Sequence, residues 1–124
     1  DIYYLEKIVT CEAAYSDIQT KQLMMLVVLN RVKSPLFPNT VYEVITQKSG
    51  KTYQFSVCRP GYSWYYTEPN EDSKKAFDEL WDTLYDYSCG ALYFESYPSK
   101  EQADDTWFGT LEYLYEHEGV RYYK

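Results

Sequence analysis

The stretch Asp1-Ile-Tyr-Tyr-Leu-Glu-Lys-Ile-Val-Thr-Cys-Glu-Ala-Ala14 repeats apolar side chains at the period of an α-helix, with an acid set into the apolar stripe. Leu5, Ile8, Val9 and Ala13 share one face with position 12, the i, i+3, i+4, i+7, i+8 spacing of a buried surface. Glu12 therefore points inward near the end of the helix. Burial disfavours a charged carboxylate and raises its pKa. A carboxylic acid still protonated near neutral pH can act as a general acid. The same spacing also fits a half-buried Glu tied to neighbouring groups, so periodicity alone leaves catalysis and structure both open.

Working outward, Ser16 and Gln19 fit a capping box for a second helix reaching about Lys33. Leu23, Met24, Leu26, Val27 and Val28 cover most of its circumference, as expected of a central helix. Asn30 falls on the buried side and must find hydrogen-bond partners there, which suggests a side chain tying a loop to the helix. Ser34-Pro-Leu-Phe-Pro-Asn39 is a rigid turn, because two prolines exclude helix. Thr40 and Glu43 form another capping box, for a short helix with Val41, Val44 and Ile45 on one face, ended by Lys48-Ser-Gly50.

Tyr53-Gln-Phe-Ser56 alternates like a short strand or extended loop. Residues 57–70 form a long irregular stretch, and loops of that length in a small domain are usually functional. Within it Trp64, Tyr65 and Tyr66 are candidates for stacking on sugar rings, or equally for anchoring the loop to the core. Asn70 or Asp72 starts a helix to about Tyr87, with Ala76, Phe77, Leu80, Trp81, Leu84 and Tyr85 expected inward and Gly90 as the stop. Ala91-Leu-Tyr-Phe94 is β-prone. A polar loop holding Asp104, Asp105 and Trp107 follows, with Trp107 as ambiguous as the earlier aromatics. Leu111–Tyr115 and Val120–Tyr123 flank Glu-His-Glu-Gly as a hairpin, although 105–116 could instead be helical. Helices early and short strands late predict an α+β fold.

Composition narrows the function. The chain has 124 residues, 45% hydrophobic and 25% charged, which suits one globular domain over residues 1–124. Its net charge is −7, with no basic cluster, so it lacks the positive surface that nucleic-acid binding needs. No apolar run approaches the roughly 20 residues of a membrane span. The chain begins at Asp1 inside a helical pattern, as a processed protein or excised domain would, so a missing leader says nothing about compartment.

Three cysteines (Cys11, Cys58, Cys89) and a single histidine, His117, provide almost no zinc ligand set. No metal or cofactor is expected. One disulfide plus a free thiol, or three free thiols, both fit. Sixteen tyrosines stand beside three tryptophans and five phenylalanines. Tyrosine offers flat apolar area with a polar tip, suited to amphipathic ligands such as sugars or simply to building a small core. Asp17, Glu68, Glu95, Asp104 and Asp105 are further acids able to reach a cleft, or solvated surface charges.

Glu12-Ala13, then Val27-Val-Leu-Asn-Arg-Val32, Phe37-Pro-Asn-Thr-Val41, Gln54-Phe-Ser56 and Ala91-Leu-Tyr-Phe94 occur in an order and spacing that resembles the cell-wall hydrolases typified by spore cortex-lytic enzymes. The resemblance spans roughly residues 3–124 and runs without a gap from Glu12 through Thr40. It implies a lysozyme-like α+β fold, mainly helical with a small antiparallel element. It implies cleavage of peptidoglycan glycan strands between N-acetylmuramic acid and N-acetylglucosamine, by a secreted or wall-associated enzyme of bacterial or phage origin. By the same resemblance Glu12 is the catalytic acid, and Gln54, Phe55 and Ser56 lie along the glycan cleft. Tyr93 forms a cleft wall, and Tyr123, at the family's closing tyrosine, is a further substrate-binding candidate.

Two departures stand out. Tyr15 and Ser16 replace a Gly-Glu pair that often follows the Glu-Ala motif, removing a second carboxylate. Val120 stands where the family often has a histidine, and His117 lies three residues earlier. A lone acid favours a lytic transglycosylase, with a hydrolytic muramidase, a non-catalytic carbohydrate-binding module and a protein-interaction domain as alternatives.

Overall fold

In the computed structural model, which describes residues 1–124, helix α1 (Ile2–Ala13) packs against the longer α2 (Ile18–Lys33). Leu5, Ile8, Val9 and Ala13 are buried on α1, and nine residues of α2 are buried, as expected of a central helix. The cap of α2 is shifted by one residue from the expected Ser16. Asp17 is the N-cap and its carboxylate accepts from the Thr20 amide at 2.7 Å. Ser16 instead offers its carbonyl to the wholly buried Lys21, whose Nζ also reaches the Ala14 carbonyl. The lysine thereby satisfies carbonyls of the turn that joins α1 to α2.

The short α3 (Val41–Ile45) starts where the capping box places it: Thr40 Oγ1 accepts from the Glu43 amide and donates to the Glu43 carboxylate. A two-stranded hairpin of β1 (Lys48–Ser49) and β2 (Thr52–Tyr53) follows. Residues 57–70 are irregular, with 3₁₀ turns at Ser56–Cys58 and Ser63–Tyr65.

Helix α4 (Glu71–Thr83) is capped by Asn70, which accepts from the Ser73 amide. It ends about one turn earlier than the sequence suggests. Leu84 turns left-handed (φ +51°), and the Asp86 carboxylate captures the Ser88 amide and hydroxyl, steering the chain off the helix axis. Only Ser73, Ala76 and Leu80 are buried on α4, while Trp81, Leu84 and Tyr85 are each about two-thirds exposed or more. The expected inward placement of those three is thus corrected: the helix stops at Thr83, so Leu84 and Tyr85 leave its axis, and with Trp81 they line an open apolar groove facing α1 and α2 instead of closing onto them. Asn30 meets the partners it needs, donating to Ser88 Oγ and the Ala91 carbonyl at 2.9 Å each, and so ties this loop to α2.

The polar loop contains a short helix, α5 (Lys100–Asp104), and a 3₁₀ turn at Trp107–Thr110. The C-terminal segment is a hairpin rather than a helix. Strands β4 (Tyr113–His117) and β5 (Val120–Tyr123) pair antiparallel across Glu118-Gly119, both with positive φ as a tight two-residue turn requires. Strand β3 (Tyr93–Glu95) adds to the other side, giving the order β3-β5-β4 with β5 fully buried. The five helices and two small antiparallel sheets make the α+β fold expected. All three cysteines are free: Cys58 buried, Cys11 partly buried and Cys89 exposed.

Candidate active site

Five segments far apart in sequence meet at one cleft of about 190 Å³. Glu12 arrives from the last turn of α1 and Arg31 from the last turn of α2. Gln54, Phe55 and Ser56 come from the chain leaving β2, Tyr93 and Phe94 from β3, and Trp107 and Phe108 from the last 3₁₀ turn. Four of these residues (Gln54, Tyr93, Trp107 and Phe108) continue into an adjoining trough of about 560 Å³. Leu36, Phe37, Gln47, Ser49, Thr52 and Tyr53 complete it. The result is an elongated groove with aromatic walls and amide and hydroxyl groups on its rim.

Glu12 is the only carboxylate lining the cleft. It is half-buried, and burial alone pushes its carboxyl above the usual carboxylate range. Burial thus favours the protonated form of this carboxyl.

The walls are graded. Phe55 is buried and forms the floor, while Gln54 and Ser56 on either side of it are exposed and available to a ligand. The Gln54 backbone is fixed by its amide bond to the Gln47 carbonyl at 3.0 Å. Tyr93 lies edge-on to Trp107 at 5.1 Å between ring centres and beside Phe37 at 5.7 Å. Trp107 remains 56% exposed, so its ring is free to carry a sugar face. Gly109 closes the turn that carries it: a Cβ there would overlap the Asp104 carbonyl, so only glycine allows this approach.

Four of the aromatic residues singled out in the sequence lie elsewhere. Trp64 is buried, stacked on Tyr4 with Lys7 Nζ 4.5 Å above its ring, because its 3₁₀ turn packs on α1 and drives the indole into the core. Neighbouring Tyr65 and Tyr66 are exposed but outside the cleft. Tyr123 is wholly buried at the end of β5, where its hydroxyl donates to Glu95 Oε2 at 2.6 Å. Its ring packs at 5.5 Å on Phe108, so it buttresses the cleft wall from behind. None of the other acids lines the cleft. Asp17 caps α2, Glu68 accepts from Tyr3, Glu95 pairs with Arg121, Asp104 pairs with Lys100, and Asp105 is exposed.

Arg31, Phe94 and Phe108 are cleft residues that the sequence reading assigned no role. Arg31 had a visible signal: a charged side chain beside Asn30 on a helix with almost no polar face. The groups able to gather round a metal ion are Asp17, His117 and Glu118, whose ligand atoms lie within 4.8 Å of one another. They sit at the β4–β5 turn, away from Glu12, and Asp17 is already engaged by Thr20 and His117. A separate apolar groove between α1, α2 and α4 has charged residues only as Asp1, Lys33 and Asp86, without a buried acid.

The chain is similar to known cell-wall enzymes. A family model described as cell wall hydrolase matches residues 16–123, starting four residues after Glu12. The catalytic domain of the germination-specific lytic transglycosylase SleB of Bacillus anthracis superposes with a TM-score of 0.75 at 28% identity, over 100% of this chain and 93% of that one. The SleB catalytic domain of Bacillus cereus gives 0.74 at 26% identity, over 100% and 89%. A search of curated proteins gives no significant match. No helix is long and apolar enough to cross a membrane.

Proposed function

This chain belongs to the cell wall hydrolase family, and we propose that it cuts peptidoglycan glycan strands as a lytic transglycosylase with Glu12 as its general acid and base. The observation that carries this reading is the single half-buried carboxyl at the floor of an aromatic groove, raised by burial and flanked by Gln54 and Ser56. Hydrolytic glycosidases generally set two carboxylates about the scissile bond. Here the second is lacking from the cleft lining, and the chemistry must be completed by one group.

Protonated Glu12 donates its proton to the bridging oxygen between muramic acid and glucosamine. The C1–O bond breaks, and the departing sugar leaves as an alcohol. Positive charge develops at C1 of the muramic residue, where the oxygen of its own N-acetyl group can share it. Glu12, now a carboxylate, accepts the proton of the muramic C6 hydroxyl as O6 attacks C1. The products are a 1,6-anhydro end and a regenerated acid, so one proton makes the full circuit. Gln54 and Ser56 serve as hydrogen-bonding groups to the sugars, and Tyr93 and Trp107 as apolar walls. Such an enzyme works where its substrate is, secreted or attached at the wall.

The test is incubation with purified peptidoglycan followed by mass spectrometry of the soluble products, with Glu12→Gln alongside. Anhydro-muropeptides that vanish in the variant are the expected result. Products with reducing ends would identify a muramidase, and binding without products a carbohydrate-binding module.

A further inference from the structure

Arg31 is a buried cation without an anion. It is 5% exposed, and Nε, which donates to the Leu92 carbonyl at 2.7 Å, is its only guanidinium nitrogen with a protein acceptor. Nη1 is fully buried and has no partner at all. The guanidinium is held instead by rings: Phe37 at 4.9 Å, and Phe55 and Tyr93 at 5.4 Å each. Aromatic faces attract a cation but do not replace a counter-ion lost on burial. Glu12 does not serve as one, since the only hydrogen bond of the Arg31 guanidinium is to the Leu92 carbonyl and no ion pair joins the two side chains. The desolvated charge lies in the lining of the same cleft as Glu12, Gln54 and Tyr93.

A buried charge left unpaired in the free protein is matched to a charge that arrives with a ligand. The two sugars of the glycan differ in this respect. Glucosamine is neutral, whereas the muramic residue carries a lactyl ether that ends in a carboxylate or, through a peptide stem, bears carboxylates further out. Resting on the reading that this cleft takes glycan strands, we propose that Arg31 receives a carboxylate borne by the muramic residue and thereby sets the register of the strand. An alternating polymer presents two linkages to Glu12. A cation at one fixed place in the cleft admits only the register that seats the muramic anion against it.

The experiment uses the whole chain and measures KM and kcat separately on three substrates. These are peptide-free strands with free lactyl carboxylates, the same strands with those carboxylates converted to methylamides, and strands carrying peptide stems. Removal of the recognised charge is expected to raise KM by about ten- to hundred-fold with kcat little changed, the range of one charge-assisted hydrogen-bond pair. Free strands cleaved with the lowest KM identify the lactyl carboxylate as the source, and stem-bearing strands with the lowest KM identify the peptide. In Arg31→Met the discrimination is expected to vanish, and in Arg31→Lys to return in part, with mixed cleavage registers in the Met variant. If the unaltered protein cleaves neither the free nor the stem-bearing strands with a lower KM than the amidated ones, the inference is overturned, whether or not either variant folds, and glycan cleavage stands. Failure to cut any of the three overturns the functional reading itself.

Discussion

Arg31 and Arg121 are equally buried, at 5% exposure, and live in opposite electrostatic surroundings. Arg121 on β5 is saturated. It donates to both oxygens of Glu95 at 2.7 and 3.1 Å, to Glu116 at 3.0 Å and to the Tyr97 carbonyl. The bond to Glu95 raises its already high pKa. Burial of Arg31 with no acid beside it pushes its guanidinium down to about 10. The acids divide the same way. Burial acts to raise Glu95, but Arg121, the Tyr123 hydroxyl and the Tyr97 amide outweigh it and hold it below the usual range. Glu12 has burial and no such partner, and is raised. In the sheet each buried charge is answered by the chain itself, and it serves the fold. In the cleft the charges are left unanswered, and that is where a ligand has something to add.

The sharpest way to break the contrast is Glu12→Gln. Loss of a general acid lowers the rate by about 10²- to 10⁴-fold, measured as product released from peptidoglycan. Stability should not fall with it. A carboxyl whose folded pKa is raised contributes stability that is complete below its unfolded pKa and lost as pH rises through the folded value. The Gln variant is therefore expected to melt at or above the parent temperature at neutral pH, and to lose that advantage in mild acid. For the same reason cleavage by the unaltered protein is expected to decline on the alkaline side, as Glu12 gives up its proton.

Next in size is the pair of arginine substitutions, read by urea denaturation. Arg121→Ala strands Glu95 as an uncompensated buried charge and is expected to destabilise by about 3–5 kcal/mol. Arg31→Met removes a charge that nothing answers. It leaves the Leu92 carbonyl without its donor, a cost of about 1–3 kcal/mol that relief of the buried charge offsets, so a loss smaller than that of Arg121→Ala is expected. Equal losses from both would erase the distinction between the two regions. Gly109→Ala tests the cleft wall, because its methyl would force apart the turn and the Asp104 carbonyl. A loss of about 1–3 kcal/mol is expected, together with a raised KM as Trp107 moves. The smallest effect is Thr40→Ala, which removes the cap of α3 for about 1 kcal/mol and leaves cleavage unchanged in the same product assay.

The legible parts of the sequence were those decided locally. The Thr40 cap, the helical period of α1 and α2 and a hairpin turning near Glu116–Gly119 each follow from a few adjacent residues, and the structure contains them, with β4 running on to His117. The end of α4 was not legible. Trp81, Leu84 and Tyr85 continue the apolar arc, but Leu84 turns left-handed and Asp86 captures Ser88, so the helix stops short and the three side chains line an open groove. The site divides likewise. Glu12 announced itself as an acid on an apolar stripe. Trp64 and Trp107 look alike as loop aromatics, yet packing on α1 buries one and packing beside Tyr93 leaves the other in the groove. Arg31 could be seen as anomalous but not understood, because the rings that cage it come from positions 37, 55 and 93.

That dispersal has a consequence for how activity relates to assembly of the chain. Glu12 and Phe108 stand at opposite ends of the sequence, and the sheet that carries one wall closes only when the last strand inserts between its neighbours. A nascent or partly opened molecule therefore holds an acid with no groove around it. Catalysis by such a protein depends on the C-terminal strand being in place, because β3, which carries Tyr93 and Phe94, has β5 as its only partner in the sheet.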